Sequence, residues 1–115
     1  MIPLAERLRK KLLARRRELF RDVAQHEEDL RWLETDLESE RVERAQDETF
    51  IRLLARLDDR DKKEIEEIDQ ALGRLANGDY ARCEVCAKPI PLARLEALPA
   101  TATCLPCANA RERSF

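Results

Sequence analysis

Two apolar seams run through the first two-thirds of this chain. Leu19, Val23, His26, Leu30, Leu33 and Leu37 follow alternating steps of four and three residues. Phe50, Leu54, Leu57, Asp61, Ile65, Ile68, Leu72 and Leu75 form a second series, with one extra step of four between Asp61 and Ile65. Steps of this kind keep one face of a helix apolar, which is the pattern of a coiled-coil seam. No proline lies between Pro3 and Pro89, so the spacing predicts helix from Leu4 to about Leu75 with one interruption near the middle. A helix with a single narrow seam needs a partner to cover it.

The chain supplies that partner if it folds back on itself, because residues at one level of an antiparallel hairpin then have numbers with a constant sum. Leu37 with Phe50, Leu33 with Leu54, Leu30 with Leu57, Leu19 with Ile68 and Leu12 with Leu75 all give the same sum. The alternative is one long helix that dimerises. In the hairpin, the same sum sets His26 opposite Asp61, a polar layer of the kind that fixes register in an otherwise apolar seam. The bend falls at Glu43 and Arg44, with the tip spanning residues 38–48. Glu34, Asp36, Glu38, Glu40, Glu43, Asp47 and Glu48 make this region acidic.

The pattern changes after Leu75. Asn77-Gly78 is a helix stop, with glycine free to take the left-handed backbone that closes a last turn. Cys83-Glu84-Val85-Cys86 and Cys104-Leu105-Pro106-Cys107 follow, separated by residues 87–103. Paired CxxC motifs at this distance fit a structural zinc site in which each pair wraps one side of a tetrahedral ion. Two disulfides or four unligated thiols are the alternatives. The N-terminus has no apolar signal-peptide core, which points to a reducing cytoplasm and away from disulfides. Four thiolates close the coordination sphere, so the expected ion, Cys83, Cys86, Cys104 and Cys107 around one structural zinc, holds a fold together and performs no chemistry. Leu92–Leu98 reads as a short helix ended by Pro99, and residues from Ala108 onward read as a last helix. The chain therefore divides into a hairpin, residues 1–77, and a small head, residues 78–115.

Composition sharpens this picture. Charged residues make up 40% and aromatics 4%, and glycine occurs twice, which suits long helices with narrow seams and excludes a broad layered core. No stretch approaches the roughly eighteen apolar residues of a membrane span. Arg7, Arg9, Lys10, Lys11, Arg15, Arg16, Arg17 and Arg21 make the first helix basic, either as a solvated face or as a nucleic-acid surface. No helix with base-reading residues accompanies it, so sequence-specific DNA contact is not expected. No nucleophile paired with a base and no open metal site is visible, so an enzyme is not expected either.

A helical hairpin with an acidic tip, followed by CxxC and CxxC, resembles the DksA/TraR family. The block from Glu40 through Cys107, including the Arg94-Leu95-Glu96-Ala97 run and Pro99, is similar to the family pattern without a gap. The resemblance implies an all-α fold: a long antiparallel two-helix coiled-coil hairpin with a small four-cysteine zinc-finger head and a short C-terminal helix. It also implies a cytoplasmic, monomeric regulator that binds bacterial RNA polymerase and inserts the hairpin tip into the secondary channel to alter open-complex stability. The family's tip motif, two aspartates and an alanine, falls on Glu40, Glu43 and Ala45, so each acid here is one methylene longer. Basic residues that hold the alarmone ppGpp in the family fall on Glu67, Leu98 and Ala108, none of which carries a positive charge, so a site of that type is not expected. The competing readings are a zinc-headed coiled-coil adaptor that uses the hairpin against another protein, a polymerase binder that merely occupies the channel, and a nucleic-acid binder using the basic helix.

Overall fold

Local signals for helix start and stop recur along the chain more often than the seams suggest. In the computed structural model, which describes residues 3–38 and 48–113, six helices form: α1 (Leu4–Arg21), α2 (Glu27–Glu38), α3 (Glu48–Arg56), α4 (Asp59–Asn77), α5 (Leu92–Ala97) and α6 (Leu105–Arg113). The described residues contain no strand, only an isolated antiparallel bridge between Arg82 and Pro89. The fold is all-α, a helical hairpin followed by a four-cysteine head with a short C-terminal helix.

Each limb of the hairpin is broken once where one continuous helix was expected. The first limb stops at Arg21 and restarts at Glu27. His26 occupies the N-cap, and the Asp29 carboxylate reaches back to accept from the backbone N–H of His26 and of Gln25, both at 3.2 Å. This is the reach-back half of a capping box, and the acids Glu27, Glu28 and Asp29 also suit the positive end of the helix dipole. The second limb stops at Arg56 and restarts at Asp59, where the Asp58 side chain accepts the Asp61 N–H at 2.8 Å. Asp58 is thus an N-cap of the preferred type. The end of α4 is the Asn77-Gly78 stop that the sequence predicts. Gly78 has φ +80°, its N–H bonds the Leu75 carbonyl, and the Asp79 N–H bonds the Arg74 carbonyl at 3.0 Å, a full Schellman closure.

The structure separates into two compact units. One comprises Leu13–Asp69. In it the two limbs pair with opposite sense: Arg15 and Arg16 of α1 bond Glu64 and Asp69 of α4, and Asp29 of α2 bonds Arg52 and Arg56 of α3. Leu19, Phe20, Leu33, Leu53, Leu57, Ile65 and Ile68 are buried here. Phe20 meets Trp32 edge-on at 5.7 Å and Phe50 at the same distance, while the Arg16 guanidinium lies 5.0 Å from the Phe20 ring. Twelve residues of unbroken helix would separate Phe20 and Trp32 by about 18 Å along the axis. The break at Asp22–His26 is what lets them touch, and Phe50 joins the same ring cluster.

The polar layer expected from His26 and Asp61 is not built. His26 is exposed in the break, and Asp61 sits in the first turn of α4. The buried carboxylate is Asp29, three residues further on, which is fully covered and held by Arg52 at 2.6 Å and Arg56 at 3.1 Å. A lone histidine gains nothing from burial beside a carboxylate when two arginines with fixed positive charge are within reach.

The other unit comprises Met1–Leu12 and Gln70–Phe115, so the division is not at residue 77. The reason is the head's core: Leu8 is buried with Cys83, Ile90, Leu95 and Cys104, and Leu4, Tyr80 and Cys107 pack against them. Two of these five buried side chains are cysteines of the CxxC pairs. A core this small needs additional cross-links.

Candidate metal centre

The first cysteine pair lies on a loop wound by its own backbone. The Cys83 N–H bonds the Lys88 carbonyl and the Ala87 N–H returns to the Cys83 carbonyl, both at 2.9 Å. Ala87 takes a left-handed φ of 63° to close this turn. The Ile90 N–H bonds the Ala81 carbonyl at 2.8 Å and fastens the base of the loop. The second pair lies at the start of α6, with Cys104 as the residue before the helix and Cys107 in its first turn. That helix begins earlier than the expected Ala108 because Leu105-Pro106 is its opening turn, and proline is tolerated there for want of an intrahelical N–H partner.

Two arginines whose role the sequence did not reveal hold the strap ahead of Cys104. Arg94 of α5 donates from Nε to the Thr103 carbonyl at 2.8 Å. Arg74 of α4 donates to the carbonyls of Ala100 and Thr101, both at 3.4 Å. The Thr101 hydroxyl also donates to the Thr103 carbonyl at 3.0 Å. The Glu84 N–H bonds the Ala102 carbonyl at 2.9 Å and ties the strap to the first loop. Arginine pairs more often with carboxylates than with carbonyls, so charge patterning alone gives no signal for this bracing.

The result is a tetrad. The sulfurs of Cys83, Cys86, Cys104 and Cys107 all lie within 4.8 Å of one another. Cys86 Sγ is 3.7 Å from Cys104 Sγ. A disulfide requires about 2.0 Å, and all four cysteines are free. A tetrahedral zinc with Zn–S bonds of about 2.3 Å sets its sulfurs about 3.8 Å apart, which this spacing meets. The donor set therefore fits one structural zinc ion, with four ligands and no open position.

The thiol electrostatics point the same way. Backbone N–H groups, first that of Cys86 and then those of Cys104 and Val85, lower the Cys83 thiol to about 6. The neighbouring Cys104 sulfur, followed by burial, pushes Cys107 up to about 12. Four sulfurs so close cannot all ionise unless a cation supplies the compensating charge, and a divalent ion does so. Backbone donors thus favour the thiolate form at Cys83, while its neighbours disfavour it at Cys107.

The other expected site residues are distributed differently. Glu40, Glu43 and Ala45 lie outside the described residues. Glu67 and Leu98 are exposed and Ala108 is half-buried. Along α1, Arg7 pairs with Glu96 at 3.2 Å, Arg15 with Glu64 and Arg16 with Asp69 at 2.8 Å. Much of the basic run is thus engaged with acids of the same chain. No helix among the described residues is long and apolar enough to cross a membrane.

Comparisons with known proteins converge on this site. A family model for the prokaryotic dksA/traR C4-type zinc finger matches residues 78–113. The chain is 43% identical over 98 residues to the RNA polymerase-binding transcription factor DksA of Caulobacter vibrioides, covering 85% of this chain and 68% of that protein. It is 35% identical over 71 residues to the protein of the same name from Escherichia coli K12, covering 62% of this chain and 47% of that one. Among solved structures it is similar to transcription factor DksA2 of Pseudomonas aeruginosa, with a TM-score of 0.56 and 31% identity across 96% of this chain and 84% of that chain.

Proposed function

This chain belongs to the DksA/TraR family, and from that premise we propose that it is a transcription regulator that binds bacterial RNA polymerase. In this reading the zinc-closed head is a platform and the segment joining α2 to α3 enters the secondary channel, where Glu40 and Glu43 alter the stability of promoter open complexes. The observation that carries the reading is the closed four-thiol tetrad in a chain that also folds an antiparallel helical hairpin, since a metal with no open position serves architecture and leaves function to the surfaces it holds. The protein acts as a cytoplasmic monomer and not as an enzyme.

The alarmone site of the family is absent from this proposal. Glu67, Leu98 and Ala108 offer no cation, and the nearby Arg111 is engaged with Glu84 at 3.5 Å. A phosphate-rich ligand requires several charge-assisted donors in one place. Nucleic-acid binding through α1 is disfavoured by the ion pairs that occupy Arg7, Arg15 and Arg16.

Alanine substitution of Glu40 and Glu43 together tests the assignment. The expected result is unchanged affinity for RNA polymerase with loss of the effect on open complexes. Unchanged effect in the double variant contradicts the role of these acids. Wild-type binding without any effect on promoter complexes favours a protein that only occupies the channel.

A further inference from the structure

An unbroken first limb would place the N–H groups of Gln25 and His26 on the carbonyls of Arg21 and Asp22, and the Val23 carbonyl on the Glu27 N–H. The N–H groups of Gln25 and His26 and the carbonyl of Val23 have found other partners. Asp29 Oδ2 accepts from Gln25 and His26, and Arg56 Nη1 donates to the Val23 carbonyl at 3.2 Å and to Asp29 Oδ2 at 3.1 Å. Arg52 Nη2 holds the other carboxylate oxygen at 2.6 Å. One ion-pair cluster therefore supplies both the acceptors and the donor that the interrupted helix has lost.

Nothing in the local sequence demands the interruption. Asp22-Val23-Ala24-Gln25-His26 contains no glycine or proline and includes two good helix formers, Ala24 and Gln25. Burial is also inverted at the next turn, where Asp29 is fully covered while Leu30, a seam residue, is 45% exposed. An apolar side chain left outside next to a carboxylate drawn inside marks a structure stabilised by the charges at the expense of the seam.

We propose that Asp29, with Arg52 and Arg56, is a latch that holds the first limb broken, and that releasing it joins α1 and α2 into one helix with Leu19, Val23, His26, Leu30 and Leu33 on a common seam. The two forms exchange one set of hydrogen bonds for another, which makes this limb a two-state element. The inference rests on contacts within Leu13–Asp69 alone and is independent of the polymerase reading.

Backbone chemical shifts of the zinc-loaded full chain test the latch. Wild-type protein is expected to show helical Cα shifts on either side of Asp22–His26 but not within it, together with proton cross-relaxation between the Phe20 and Trp32 rings. Asp29→Asn and Arg56→Met are each expected to move the shifts of Asp22–His26 to helical values and to abolish the ring cross-relaxation. The proposal is overturned if both variants keep the break and the ring contact, or if they lose helical shifts across Glu27–Glu38, which would make Asp29 a helix cap alone. Should Asp29→Asn fail to fold, Arg56→Met decides by the same two readouts.

Discussion

Asp29 is the residue at which charge prevails over hydrophobic pattern. Buried carboxylates persist only when their oxygens are satisfied, and Asp29 has two backbone donors and two guanidinium groups to do so. The Arg52 hydrogen bond, then those from the backbone and Arg56, holds its carboxyl well below the usual carboxylate range. A group whose folded pKa is depressed contributes stability above its unfolded value, near 4, and loses it as pH falls toward the folded value. Asp29→Asn is therefore expected to cost about 1–3 kcal/mol at neutral pH. That difference should shrink as the pH is lowered from about 5 to about 2. Denaturant titration read by Trp32, the sole tryptophan, follows the unit that contains the cluster. A difference that stays constant or grows in acid contradicts the account.

At the scale of elements, some boundaries are legible in sequence and others are not. The Asn77-Gly78 stop and the short α5 follow from residues whose backbone preferences leave little choice. The seams also read as helical apart from Val23, His26 and Leu57, which lie in the breaks, because period identifies the element but not its interruptions. The breaks after Arg21 and Arg56 were missed because their signals, Asp58 and Asp29 as caps, use the same acids that decorate any exposed helix face. Position in the seam points to His26 as the polar layer, yet tertiary pairing of Asp29 with two arginines decides which polar group is buried. The cysteine spacing did identify the tetrad, since ligand geometry permits few other arrangements. Its elements should then depend on the ion. Zinc chelation is expected to abolish amide-exchange protection at Cys83, Ile90 and Leu95 while Leu33 and Leu53 keep theirs. Retained protection in the head after full removal of zinc would show that its small core suffices alone.

For the whole molecule, fold and zinc site follow from the chain with the support of its relatives, whereas the regulatory action proposed for residues 39–47 rests on the family resemblance alone. In the proposed role, the methylene added at Glu40 and Glu43 relative to the family's aspartates is the departure that needs testing, since misplacement by about an ångström is costly near a reacting centre. The decisive measurement is the lifetime of open complexes formed at a ribosomal RNA promoter by RNA polymerase from the protein's own organism, with and without the zinc-loaded chain. The account predicts a shortened lifetime that reverts when Glu40 and Glu43 are replaced by alanine. An unchanged lifetime at saturating protein would contradict it.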